Sequence, residues 1–67
     1  MNNQSQIALN ELLLCLAKIE RARPELKKDM GLVYAKAKRQ ADRGASAKQL
    51  REVIRQIESA PMFADIF

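Results

Sequence analysis

The side chains of this chain that could do chemistry are few, and their spacing assembles none of them into a reactive group. Histidine is absent, which removes the residue most used for general acid–base work near neutral pH. Ser5, Ser46 and Ser59 are expected at helix ends, and none has a base to activate its hydroxyl. Glu11 and Glu20 lie too far apart along one helix to act as a carboxylate pair. Cys15 is the single cysteine; alone it holds no zinc and closes no disulfide within the chain. A small hydrophobe in a helix interface is its plainer role, a reactive thiol the sharper one. No phosphate-binding glycine loop is present. The chain is therefore expected not to be an enzyme and to use no metal, no cofactor and no small-molecule substrate.

What these residues can do is build contact surfaces. The net charge is +4, and the excess is concentrated in residues 24–44, where Lys27, Lys28, Lys36, Lys38, Arg39 and Arg43 outnumber Glu25, Asp29 and Asp42. On a helix Lys28, Lys36, Arg39 and Arg43 recur close to one side, with Leu32 among them. The plain role of such a run is a solvated face. The sharper one is contact with an acidic partner, either a carboxylate-rich protein patch or nucleic acid phosphates. Against nucleic acid, Arg51 and Arg55 in the next helix are matched by Glu52 and Glu58. A helix-turn-helix built on Gly44 fails halfway, since Arg39, Gln40 and Arg43 stand where small or apolar residues should pack. Aromatic platforms for single strands are missing, Tyr34 being alone on its helix. Tyr34 lies near the edge of an apolar stripe, as a core-edge tyrosine with a wet hydroxyl or as an interface anchor.

Three amphipathic helices must position these groups. Residues 7–19 form the most apolar stretch: Leu9, Leu12, Leu13, Leu16 and Ile19 make one core-facing stripe, while Ile7 and Leu14 share the opposite side and Ala8 and Cys15 form a smaller strip between. A helix apolar on several sides calls for cover on several sides, so Ile7 and Leu14 are candidate contacts for a partner. This first helix, capped by Asn3 or Ser5, is expected over about 5–22, ending before Pro24. A second is expected over about 24–43, started by Pro24, with the stripe Leu26, Met30, Val33, Ala37 and Ala41, and ended by Gly44 in a left-handed cap. Gly31 inside it is either a tolerated propensity cost or a point of close backbone approach. A third helix is expected over about 46–59, opened by the capping box Ser46-Ala47-Lys48-Gln49 and carrying Leu50, Val53, Ile54 and Ile57. In the tail, 61–67, Met62, Phe63, Ile66 and Phe67 would share one side of a further helical turn. Folded back, they form a lid on the open end of the bundle; left exposed, Phe63 and Phe67 anchor a partner.

The fold expected is all-α, a single domain over 1–67: an antiparallel helical hairpin, a third helix and a short C-terminal turn. With 67 residues a core contributes only about 3–5 kcal/mol of net stability, and with disulfides and metals set aside the remaining support is oligomerisation. A homodimer through the back of the first helix, or a complex with another protein, is expected. No stretch reaches the roughly 18–20 apolar residues of a membrane helix, and Leu12–Leu16 lacks the preceding basic region of a signal peptide; no membrane association and a cytoplasmic location are expected. These features suit a small non-enzymatic protein-binding module that inhibits or sequesters a protein partner, of the kind that phages and other mobile elements encode. Ile7, Leu14, Tyr34, Arg39, Arg43, Phe63 and Phe67 are its candidate contacts. The alternative is a small basic nucleic-acid-associated regulator acting through Lys28, Lys36, Arg39 and Arg43.

Overall fold

The computed structural model describes residues 2–67. It is all-helical among the described residues: α1 (Asn3–Ala22), a 3-10 turn (Pro24–Leu26), α2 (Lys27–Asp42), α3 (Ala47–Ser59) and a second 3-10 turn (Pro61–Phe63). No helix is long and apolar enough to cross a membrane among the described residues.

Local chemistry sets the helix ends. At α1 the cap is Asn2, whose side-chain oxygen accepts from the Ser5 amide at 2.7 Å, so the helix starts earlier than the expected caps Asn3 and Ser5. Ser5 is instead buried, and its hydroxyl donates to the Ala45 carbonyl at 3.1 Å, which ties the start of α1 to the α2–α3 loop. Arg23 leaves the helical region and Pro24 opens the tight turn; α2 then begins at Lys27 rather than at Pro24. Its far end closes as a Schellman motif: the Gly44 amide donates to the Ala41 carbonyl and the Ala45 amide to Gln40. Gly44 takes the left-handed φ of +101° that this requires. The capping box of α3 forms both of its bonds, the Gln49 amide donating to Ser46 Oγ at 3.2 Å and the Ser46 amide to Gln49 Oε1 at 2.8 Å.

Packing is centred on α1, which lies against both α2 and α3, whereas α2 and α3 scarcely meet. Serving two neighbours broadens and rotates the buried arc of α1. Leu9, Leu12, Leu16 and Ile19 are core, as the stripe predicts, but Leu13 is 49% exposed while Ala8 and Cys15 are buried. Cys15 lies on the flank that α3 covers, beside Ile54 and Arg51, and Ala8 is two turns before it on the same side. Small residues there let α3 come close, at the expense of Leu13 on the other flank. Met30, Ala37, Ala41, Leu50 and Phe63 complete the core. A β-carbon placed on Gly31 would meet nothing within 4 Å, so this glycine is a tolerated cost and not a close approach.

The tail divides its apolar residues. Phe63 enters the core and Ile66 packs on it, while Met62 and Phe67 stay exposed. Arg23 holds this arrangement: its guanidinium donates to the Met62 carbonyl, pairs with Asp65 at 2.7 Å and lies 5.6 Å from the centre of the Phe63 ring.

Candidate protein-interaction surface

Because α2 and α3 each lean on α1 and not on one another, a groove opens between them. At the end nearest the tail it is a cavity of about 380 Å³ lined by Leu26, Asp29, Met30, Val33, Val53, Gln56, Ile57, Ala60, Met62 and Phe63. A second cavity of about 290 Å³ continues it over Val33, Lys36, Ala37, Gln40, Val53 and Gln56. Gln40 passes it on to a third, about 440 Å³, at Arg43, Gly44, Ala45 and Gln49. Shared lining residues join the first two into one seam running from Leu26 to Gln40, roughly 21 Å at 1.5 Å per residue, with the third cavity at its upper end. Its floor is apolar. Glutamines and cations occupy its upper bank, and Asp29 is the acidic residue at its lower end.

The groove follows from the widths of the apolar stripes. In α2, Met30, Ala37 and Ala41 face α1 and are buried, whereas Val33, and Leu26 in the turn before it, are offset toward α3 and stay half-exposed. In α3 only Leu50 is fully covered, with Val53 and Ile57 half-open on the α2 side. Two-sided stripes of this sort serve one neighbour and leave the second side for another.

The charges sort themselves by ion pairing. Arg51 on α3 makes a two-point contact with Glu11 on α1, at 3.0 and 3.2 Å, and Arg55 pairs with Glu52 within α3. These charge-assisted bonds hold the Glu11 and Glu52 carboxyls below their ordinary range and raise both arginines. Lys38 pairs with Asp42 at 3.7 Å. Among the described residues Lys28, Lys36, Arg39 and Arg43 have no such partner, and all four are exposed. They share one face of α2 with Leu32, which is 62% exposed. Lys36 and Arg43 line the groove, so the basic face adjoins the apolar floor, while both arginines of α3 lie at the depression on its α1 side.

The expected contact residues divide into three groups. Arg43 stands on the groove, with Arg39 on the face behind it. Ile7 and Leu14 are 46% and 69% exposed on the outer side of α1, away from the groove. Leu14 borders a separate, largely charged depression with Glu11, Lys18, Arg51 and Glu58, and Cys15, its thiol pushed up by burial, lies at its edge. Tyr34 is half-buried against the core and Phe67 is exposed near the tail. Phe63 is 6% exposed and belongs to the protein's own core, which corrects its expected role as an exposed anchor: the cation–π and carbonyl contacts of Arg23 hold it inward, with only an edge on the groove. Met30 is core as its stripe predicts, while Val33, Val53 and Ile57 were legible as apolar positions but are only partly buried beside the groove. The signal for a second side lay in Leu26–Val33 and Val53–Ile57, which are offset from the most buried positions of their helices.

No family model, curated protein or solved structure is detectably similar to this chain.

Proposed function

We propose that this chain is a small non-enzymatic protein-binding module that inhibits or sequesters a protein partner, and that it takes hold of that partner in the α2–α3 groove. The observation that carries the proposal is the continuous apolar seam between α2 and α3 beside cations that have no ion-pair partner. A seam of this kind gives a partner apolar area to bury, at about 25 cal/mol per Å², and the bordering charge speeds and orients the encounter. The carboxylates with shifted titration sit in exposed ion pairs with arginines, an environment suited to structure and not to proton transfer. Self-association through Ile7 and Leu14 on the outer side of α1 is a second part of the proposal and leaves the groove free.

A nucleic-acid role is favoured by one feature, the exposed and unpaired set Lys28, Lys36, Arg39 and Arg43. Phosphate contacts would release counterions and make affinity fall steeply between low and moderate salt. Leu32 in the midst of these cations and the compensated charge of α3 favour protein over phosphate. The test is affinity capture from native lysate with the full chain as bait, with and without nuclease, read by mass spectrometry. A stoichiometric protein that survives nuclease is expected; recovery that vanishes with nuclease would make nucleic acid the ligand.

A further inference from the structure

We infer that the occupant of the α2–α3 groove is an acidic amphipathic α-helix of a partner protein, about four turns long, which completes a four-helix bundle. The inference rests on the protein-binding proposal above and adds the partner's conformation and charge. It begins with hydrogen bonding. The groove floor is made of apolar side chains, chiefly Val33, Val53, Ile57 and Met30, and the backbone amides along it are consumed within α2 and α3. An extended segment laid there would find no partners for its own amides and carbonyls, and each unpaired buried group is costly. A helix satisfies its backbone internally and presents apolar side chains at i, i+3, i+4 and i+7. The length agrees, since roughly 21 Å of seam accommodates about 14 helical residues.

Geometry supplies the place. α1 packs on both other helices while α2 and α3 scarcely meet, so a place across from α1, between α2 and α3, is open to a fourth helix. A helix there would contact α2 and α3 together, as members of four-helix bundles do.

Charge then selects among helices. On the α2 bank Lys36 and Arg43 line the upper groove without an ion-pair partner, and Asp29 lines its lower end. The α3 bank is lined by Gln49, Val53, Gln56 and Ile57, none of which carries a charge. Carboxylates are therefore favoured on the guest where it faces Lys36 and Arg43, and cations are disfavoured there. The same asymmetry argues against a second copy of this chain. Two grooves meeting about a two-fold axis that pairs α2 with α2 would set cation against cation, and the exposed side of α1, with Ile7 and Leu14, carries Lys18 and Arg21 beside a Glu11 that Arg51 already engages.

The experiment is selection of displayed random peptides of about 14 residues on the full chain, counter-selected on Val53→Glu. Selected peptides are then titrated against wild type, Val53→Glu and the double variant Lys36→Glu/Arg43→Glu, with circular dichroism confirming that both variants remain folded. Expected are enriched sequences with helical apolar spacing and net negative charge, a gain of helicity on binding, and a Kd weakened about tenfold or more by either variant. Failure of any sequence to enrich over the counter-selection, or enrichment of basic or non-helical sequences, would overturn the inference. So would an unchanged Kd for Lys36→Glu/Arg43→Glu, or sedimentation showing that Val53→Glu converts a dimer to monomer, which would make a second copy the occupant. A protein captured equally by wild type and Val53→Glu in the presence of nuclease would overturn the groove helix and the groove as the binding place, and leave standing only that the chain binds a protein. A duplex oligonucleotide bound through the same cations, with the peptide selection empty, would end both.

Discussion

At the scale of single residues, the chain carries costs and supports whose signs can be worked out individually. Gly31 is exposed in the middle of the α2 region, and an added β-carbon there would touch nothing. Gly31→Ala therefore gains helix propensity with no clash, about 1 kcal/mol, and should raise the thermal midpoint by about 5 °C in a domain of this size. An unchanged or lower midpoint would mean that the glycine has a role the packing does not show. The Glu11–Arg51 pair makes a second prediction, on pH. The folded-state pKa of Glu11 is depressed, chiefly by its hydrogen bond from Arg51, from an ordinary value of 4.5. Its stabilisation is then present above that value and disappears as pH falls through the lowered one. Wild type should exceed Glu11→Gln in thermal midpoint near neutral pH, by a modest amount because both partners are exposed. The difference should close on acidification and shrink in high salt. A difference constant from about pH 7 to about pH 3 would show that the pair contributes nothing. The Leu13 and Phe63 assignments show where single residues were not legible: which member of a broad apolar arc is covered depends on where the neighbours land, and that is not local information.

At the scale of elements, what is local was legible. The S-x-x-Q capping box of α3, the glycine that ends α2 and the proline that separates α1 from α2 are each specified by residues three or four positions apart, and each forms with the chemistry its residues imply. Two helix starts moved for equally local reasons: Asn2 captures the Ser5 amide ahead of the expected caps, and Pro24 spends a turn in 3-10 geometry before α2 begins. Ser46→Ala removes the acceptor for the Gln49 amide and should destabilise the fold by about 1 kcal/mol, seen as a lower denaturation midpoint with an unchanged slope. A changed slope would indicate instead that α3 detaches independently of the other two helices. The relation between elements was not legible. Periodicity shows that Val33 and Val53 are apolar, but not that α2 and α3 scarcely meet and leave both beside a groove.

At the scale of the whole molecule, two helices packed on α1 cover a small core and leave apolar surface in the groove between α2 and α3 and on the outer face of α1 at Ile7 and Leu14. The second surface makes its own prediction. Leu14 is 69% exposed, so Leu14→Glu should leave the circular dichroism spectrum and thermal midpoint close to wild type while reducing the mass seen by light scattering; equal masses for the two proteins would remove α1 as a self-association surface. The first surface is the central claim, and it is tested most directly by comparing what wild type and Val53→Glu retain from nuclease-treated lysate, quantified by mass spectrometry with both baits verified as folded. A protein bound near one-to-one by wild type and depleted about tenfold or more by Val53→Glu is the predicted result. A protein retained equally by both baits, or none retained by either, would contradict the claim that the α2–α3 groove is where this chain does its work.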